Sequence, residues 1–333
     1  MRELVDELAR ARARGDGVAL ATVIATRRSA PRPIGSKLLV TRSGELYGSV
    51  SGGCVEADVY EACQGVLAGD GSRVLSYGIS DDEAFEVGLP CGGEIDVLVS
   101  APDPQLLARL EDVARDGRHA VLFTNLENGE QRLVVEGEDA GADELIRGAR
   151  SRVVGSTFAD VLGPPPRLFV YGAVDTAEAV CKAAKGLGWQ TIVADARAKF
   201  ATKERLPSAD EVLVEWPEEA LARVAPDHAT AVVVLTHDDK FDVPALRAAL
   251  RSEAFYVGAL GSRRNQERRR ERLLEAGVAE EALDRIHGPA GLDLGAATTG
   301  ETALSILAEI VATRFGRTGG ALRESRQRIH AEV

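Results

Sequence analysis

From Arg167 onward the chain alternates short apolar runs with helical stretches, and no other feature narrows the fold as far. RLFVY, Arg167 to Tyr171, reads as a strand. A helix follows to about Gly188 and leads into the strand QTIVA, which ends at Ala194. ATAVVVLT, Ala229 to Thr236, is a buried strand, with a helix behind it over roughly Asp242 to Arg251. AFYVG is a further strand, followed by an arginine-rich helix, and TTGETALSILAEIVATRF is a long closing helix. Apolar runs that do not alternate with polar residues suit strands covered on both faces. Strands separated by helices pair in parallel, because the chain must cross over the sheet between them. The expected fold of residues 167–333 is therefore a Rossmann-like, doubly wound parallel sheet in an α/β protein.

GPPPR, Gly163 to Arg167, has the composition of a stiff connector. The residues before it follow another pattern. VALATVIAT, Val18 to Thr26, is a strand, and SAPRPIGSK is a loop. KLLVTRSGELYGSVS reads as two strands joined around Ser43 and Gly44, a hairpin. A helix starts near Cys54, and RVLSYG and EIDVLVS are further strands. The stretch from Pro102 to Phe158 reads as a helix-plus-strand segment of the same half. The expected organisation is an N-terminal α+β domain over 1–162, a proline linker over 163–166 and the Rossmann-like domain over 167–333.

A length of 333 residues fits two such domains, and 45% hydrophobic residues suffice for their cores. The net charge of -12 argues against a general nucleic-acid binder, which needs a basic face to neutralise phosphates. No apolar run is long enough for a membrane span, and MRELVDELARARARGDG is a charged amphipathic helix unlike a secretory signal. Four widely spaced cysteines fit reduced thiols in a cytoplasmic protein. The chain has no CxxC, which removes the usual redox-motif and zinc-knuckle spacings.

Two of the four cysteines have ordinary surroundings. In VEADVYEACQGVL, residues Val55, Val59, Ala62, Cys63 and Val66 share one helical face, so Cys63 is a packed core thiol. Cys181 sits similarly beside Ala177 and Ala184. The other two stand at glycine corners. Cys54 follows Gly52 and Gly53 at a helix entrance, where unpaired N–H groups favour a thiolate and the neighbouring Glu56 and Asp58 oppose it. Cys91 precedes Gly92 and Gly93 in a loop just before a strand. Glycines let a bulky ligand approach the backbone closely. Both cysteines are candidate site residues, set against the plain alternative of small residues in tight turns.

The second half offers a crevice at the carboxyl ends of its strands. GAVDTA, Gly172 to Ala177, stands where a dinucleotide-binding protein carries GxGxxG, and Asp195 ends the next strand at the position of a ribose-binding acid. Val174 replaces the second glycine, and Asp175 places a negative charge where phosphate would lie, so NAD(P) binding in the usual pose is disfavoured. In GSRRNQERRRER, Ser262 can cap a helix whose start, with Arg263 and Arg264, suits an anion or phosphate. Arg268, Arg269, Arg270 and Arg272 read as a solvated face paired with Glu267 and Glu271. His237, in THDDKFD, is a candidate hydrogen-bond donor or acid/base group. GPAGLDLGA, Gly288 to Ala296, is a candidate further wall of the crevice.

Taken together, SAPRPIGSKLLV, GSVSGGCVE, the LPCGG loop, THDDK, GALGSRR and GLDLGA followed by ALSILAEIVA resemble, in order, the motifs of the xanthine dehydrogenase accessory factors of XdhC/CoxI type. GSVSGGCVE is quite specific. GAVDTA departs from the family pattern, which keeps a glycine where Val174 stands. The resemblance implies a cytoplasmic maturation factor without turnover of its own. Such a factor binds the molybdenum cofactor, in its molybdopterin form or as a cytidine dinucleotide. It protects the cofactor while the terminal sulfido ligand is installed, with a cysteine desulfurase as the expected sulfur source. It then passes the cofactor to an apo molybdenum hydroxylase such as xanthine, aldehyde or carbon monoxide dehydrogenase. It further implies a homodimer, and Cys54 and Cys91 as the family's two cysteine positions, with Cys54 a candidate molybdenum contact. Two rival classes stand beside it. One is an NAD(P)-dependent oxidoreductase with Asp195 on the ribose. The other is a non-catalytic scaffold that docks the apo-enzyme and the desulfurase.

Overall fold

The computed structural model describes residues 4–28, 30–78 and 93–325. These fall into two compact units: one runs to Pro164 and includes Ser325, and the other spans Pro165–Glu324. No helix among the described residues is long and apolar enough to cross a membrane.

The first unit begins with helix α1 (Val5–Ala13), strand β1 (Val18–Arg27), and the hairpin of β2 (Lys37–Thr41) and β3 (Leu46–Gly48). Helix α2 (Glu56–Ala68), β4 (Arg73–Tyr77) and β5 (Glu94–Ser100) follow, then helix α3 (Pro104–Arg115). The expected hairpin around Ser43 and Gly44 is present, pairing Val40 with Leu46. These strands form an antiparallel sheet in the order β3-β2-β1-β5-β4. Strand β1 is buried on both faces, and its side chains divide by the two-residue period of a strand. Ala19, Ala21 and Val23 pack with Val55, Val59, Cys63 and Val66 on the α2 side. Val18 and Leu20 face the cluster of Leu4, Leu8, Leu106 and Leu110 from α1 and α3.

The stretch from Pro102 to Phe158 holds more structure than helix plus strand. It carries α3, β6 (Ala120–Asn125), β7 (Gln131–Val135), α4 (Ala140–Gly148), β8 (Arg152–Val154) and the start of β9 (Thr157–Leu162). The strands form a second antiparallel sheet in the order β7-β6-β9-β8. Asp103 caps α3 by accepting from the Gln105 and Leu106 N–H groups. The β6–β7 turn is closed by Asn125, whose side chain accepts from the Glu127 and Asn128 N–H groups. The Asn128-Gly129 pair inside this turn was the legible hairpin signal.

The second unit runs β10 (Arg167–Tyr171), α5 (Asp175–Gly186), β11 (Gln190–Ala194), β12 (Glu211–Leu213), α6 (Pro217–Val224), β13 (Thr230–Val234) and α7 (Asp239–Arg251). It closes with β14 (Tyr256–Ala259), α8 (Arg263–Glu275), α9 (Glu280–Leu283), β15 (Ile286–His287) and α10 (Thr299–Arg314). All strands pair in parallel, in the order β12-β11-β10-β13-β14-β15. This is the doubly wound α/β sheet that the βα rhythm implies. Strand β10 again divides its side chains: Leu168 and Val170 face α5 and α10, while Phe169 and Tyr171 face α6 and α7. Helix α7 starts at Asp239, ahead of the expected Asp242, because Asp238 caps it by accepting from the Lys240 N–H. The chain leaves β10 toward β11 and β12 and returns on the other side with β13. The strand order reverses between β10 and β13, and the carboxyl ends of strands at such a reversal are where open α/β sheets take ligands.

Candidate functional site

In the first unit the site candidate is the corner between β3 and α2. Helix α2 begins at Glu56, and the side chain of Glu56 folds back over the turn before it. Its Oε1 accepts from the Ser49 hydroxyl at 2.6 Å and from the N–H groups of Ser51, Gly52 and Val50 at 2.9, 3.1 and 3.2 Å. Its Oε2 accepts from the Gly53 N–H at 2.7 Å and from the Ser51 hydroxyl. Burial alone would raise the Glu56 carboxyl; the bonds from Ser49, Ser51 and Gly53 outweigh it and hold the group at about 2. Ser51 Oγ in turn accepts from the N–H groups of Cys54 at 2.9 Å and Val55 at 3.0 Å.

This changes the expected picture of the corner. The N–H groups from Gly52 to Val55 are directed to Ser49, Ser51 and Glu56 within the loop. Glu56, expected only as a countercharge, is the residue that shapes the turn. The sequence does not announce this role: Ser51 and Ser49 stand five and seven positions before Glu56, not the three of a capping box, and the N-cap is Val55. The result is an arch with Gly52, Gly53 and Cys54 on its exposed side. Gly52 and Gly53 have φ of 80° and 114°, and nothing lies within 4 Å of where a Cβ would stand on either. Approach to the Cys54 thiol is therefore open. Cys63 and Cys181 are fully buried, and burial pushes both thiols up to about 12. Cys91 and Gly92 lie outside the described residues, while Gly93 is buried just before β5.

In the second unit the sheet brings Gly172, Asp195, His237, Ser262, Arg263 and Arg264 to the carboxyl ends of its strands. Gly172 ends β10 with φ of 114°, and a Cβ there would stand 2.9 Å from Thr236 Cγ2 and 3.1 Å from the Thr236 nitrogen. The β10 and β13 loops thus meet at a glycine. Asp195 is 1% exposed. Its Oδ2 accepts from the Ala173 N–H at 2.9 Å and Arg197 Nη2 at 2.7 Å, and its Oδ1 from the Arg197 N–H and Nε, each at 2.9 Å. Burial works to raise this carboxyl, and the Arg197 and Ala173 bonds overcome it and hold the group low. At the start of α5, Asp175 faces solvent and pairs with Arg205 at 3.3 Å. A dinucleotide in the usual Rossmann pose needs a free acid at Asp195 and an uncharged helix start. The residues present do not fit NAD(P) in that pose.

Ser262 caps α8, accepting from the Asn265 N–H at 3.3 Å, and Arg263 and Arg264 beside it are exposed. His237 is exposed at the end of β13. The rest of the arginine run departs from expectation. Its partners are not Glu267 and Glu271: Arg268 pairs with Asp239, Arg270 with Glu280 and Asp284, and Arg272 with Glu275 and Asp239. Arg269 is not on a solvated face at all. It is buried, donating to Asp242 Oδ2 at 2.7 Å, the Leu260 carbonyl at 3.0 Å and Gln266 Oε1 at 2.6 Å. Asp242 also accepts from the Thr236 hydroxyl. This network ties the β13–α7 loop to the β14–α8 loop. The helical spacing that turns Arg269 inward was in the sequence, but a run of arginines masks it.

The first half of the GPAGLDLGA loop is anchored: the Ala290 N–H donates to the Ala259 carbonyl at 3.0 Å, and Leu292 donates its N–H to the Ser305 carbonyl at 3.2 Å and accepts from the Ser305 hydroxyl at 2.5 Å. Glu309 on α10 accepts from the Gly291 N–H at 2.8 Å and the Tyr256 hydroxyl at 2.6 Å, and contacts His287 Nδ1 at 3.2 Å. Beyond Leu292 the loop is exposed through Gly300. No group of three or more metal-ligating side chains occurs among the described residues.

Residues 11–78, which include the Cys54 arch, match the XdhC and CoxI family, and residues 168–310 match the XdhC Rossmann domain. The molybdenum cofactor insertion chaperone PaoD of Escherichia coli (strain K12) is 30% identical over 308 residues, covering 90% of this chain and 85% of that protein. The chain belongs to the XdhC and CoxI family. A second relative of similar length, a probable xanthine dehydrogenase subunit of Bacillus subtilis (strain 168), is 26% identical over 312 residues, covering 89% of this chain and 92% of that one. A crystal structure of a xanthine dehydrogenase from Bacillus halodurans matches with a TM-score of 0.70 at 25% identity, covering 97% of this chain and 98% of that one. For this XdhC/CoxI chain the Rossmann-like sheet is thus a family feature, and the closed-off Asp195 belongs to that sheet.

Proposed function

We propose that this XdhC/CoxI-family protein is a molybdenum cofactor chaperone. It binds the cofactor, protects it while the terminal sulfido ligand is installed, and delivers it to an apo molybdenum hydroxylase of the xanthine, aldehyde or carbon monoxide dehydrogenase type. The observation that carries this reading is the 30% identity, over most of both chains, to a molybdenum cofactor insertion chaperone. The exposed thiol on an open glycine arch supports it. A soft thiolate suits molybdenum or its sulfur, and Gly52 and Gly53 leave room for a broad ligand. In this reading Cys54 contacts the metal centre, and Cys91 and Gly92 supply a second approach, without Gly93, which is buried. On the second unit, taken by itself, Ser262, Arg263 and Arg264 are a candidate site for the phosphate of the pterin, in the molybdopterin or the cytidine dinucleotide form, as helix starts bearing arginine are. His237 donates a hydrogen bond nearby, with Gly172 letting the crevice close. The protein acts in the cytoplasm as a homodimer, receives sulfur from a cysteine desulfurase, and has no turnover of its own.

The test is cofactor retention under anaerobic conditions. Released cofactor is incubated with the protein, the mixture is filtered, and retained pterin is measured by fluorescence after oxidation. Retention by the parent and loss in Cys54→Ala is the expected result. No retention by the parent would remove the chaperone reading. Equal retention by both would remove Cys54 from the site.

A further inference from the structure

The carboxyl end of the parallel sheet carries an aromatic and cationic shelf outside the residues assigned above. Trp216 is 53% exposed, although it is the largest side chain in its neighbourhood. It stands at the N-cap of α6, with Pro217 as the first helical residue and no side-chain cap hydrogen bond. That position favours Ser, Thr, Asp or Asn, whose oxygen satisfies a free N–H, and giving this up costs about 1 kcal/mol. An indole has no acceptor to offer there. The placement therefore works against the helix and is not explained by it.

Beneath Trp216 lies Phe241, 3% exposed, with ring centroids 5.5 Å apart. Phe241 is the floor of a cluster. Tyr171 lies 6.2 Å from it by ring centroid, the Lys240 ammonium stands 4.6 Å from its centroid, and the Arg197 guanidinium 5.7 Å. Tyr171 ends β10, Arg197 and Trp216 follow β11 and β12, and Lys240 and Phe241 lie in the first turn of α7 after β13, the edge where open α/β sheets take ligands. Covering Phe241 accounts for the buried part of the indole. Just over half of it remains in solvent, beside a Lys240 whose side chain is 60% exposed. Lys240 is only loosely held, with its ammonium 3.5 Å from Asp238.

We propose that Trp216 and Lys240 form a binding site for a planar heteroaromatic ring that carries a phosphate. The ring stacks on the open part of the indole, and the phosphate lies toward the lysine that shares the same aromatic floor. This ligand chemistry has two sources, a nucleotide and a pterin phosphate. The site does not require the usual dinucleotide pose, because it uses neither the GAVDTA turn nor the Asp195 carboxylate. It deepens the chaperone reading, whose cofactor carries a pterin phosphate and, in the dinucleotide form, a cytidine nucleotide, and it does not depend on Cys54.

The experiment is calorimetric titration of the full chain with CDP, with neopterin monophosphate and, as the ringless control, with ribose 5-phosphate. The expected result is saturable binding of at least one ring phosphate and none of ribose 5-phosphate. Trp216→Ala weakens that binding roughly ten-fold or more, and Trp216→Phe retains most of it. Whichever of CDP and neopterin monophosphate binds identifies the source. With CDP the emission of Trp216 is quenched, while buried Trp189, 6% exposed, is not. The proposal is overturned if neither ring phosphate binds, if ribose 5-phosphate binds equally well, or if Trp216→Phe and Trp216→Ala both bind as the parent does.

Discussion

Arg269 and Asp242 form a buried ion pair, 2.7 Å between Nη2 and Oδ2, with side chains 5% and 3% exposed. The pair joins α8 to α7 and, through Leu260 and Thr236, joins the two loops that carry Arg263 and His237. Its geometry is supplemented by bonds that satisfy the remaining polar atoms, which is the condition for such a pair to persist in a core.

Removing one partner leaves a charge stranded. Arg269→Met is expected to destabilise the protein by about 3–5 kcal/mol, because Asp242 loses its counterion without regaining water. The double variant Arg269→Met/Asp242→Leu should recover much of that loss. Denaturant unfolding of the three proteins side by side gives the comparison. A single variant as stable as the parent would contradict the buried pair.

The Glu56 arch makes stability depend on pH in a defined direction. The carboxyl is held at about 2 in the folded chain, below its ordinary value of 4.5. Its contribution is therefore present above about 4.5 and is lost as pH falls toward about 2. Because the group is only part-buried, solvent screening trims that contribution to on the order of 1 kcal/mol. Glu56→Gln should be less stable than the parent at neutral pH, and the gap should narrow in acid. Urea melts at the two ends of this range measure it, and an unchanging gap would rule out the carboxylate as its cause.

Thiol chemistry should separate the cysteines. Cys54 is exposed, whereas Cys63 and Cys181 are buried and pushed up to about 12. Brief treatment of the folded protein with iodoacetamide at mildly alkaline pH is expected to label Cys54 and spare the other two. Peptide mass spectrometry reads the outcome, and both buried cysteines should label once the chain is unfolded. Prompt labelling of Cys63 in the folded protein would contradict the packing of α2.

Two glycines with the same φ of 114° should respond differently to alanine. Gly53→Ala meets open space and bears only the backbone strain, about 1–2 kcal/mol. Gly172→Ala bears that strain and also forces a Cβ to within 2.9 Å of Thr236 Cγ2 and 3.1 Å of its backbone nitrogen. It should cost about 1–3 kcal/mol more, in line with overpacking in a closed space. Thermal melts of the two variants rank them, and the reverse order would place the clash elsewhere.

Much of the fold was legible because period and punctuation are local. The parallel sheet follows from apolar runs separated by helices, and the β2–β3 hairpin from a Ser43-Gly44 turn between strands. The burial of Cys63 follows from the face it shares with Val59 and Val66. The four-stranded sheet over Ala120–Leu162 was underestimated, since short strands of mixed composition carry a weak signal and gain stability only from one another.

The site was legible as a set of residue types and opaque as a set of partners. By itself the sequence determined which residues can carry chemistry: a cysteine after two glycines, an acid at a strand end, arginines at a helix start. Only the tertiary structure decided what each faces. Asp195 is closed off by Arg197 and Ala173, Arg269 is drawn into the core by Asp242, and Glu56 turns back on the loop before it. The physical reason is that a charged side chain takes its meaning from the partner and the solvent around it. Those partners stand 2 to 27 positions apart along the chain and meet only when the sheets and helices pack.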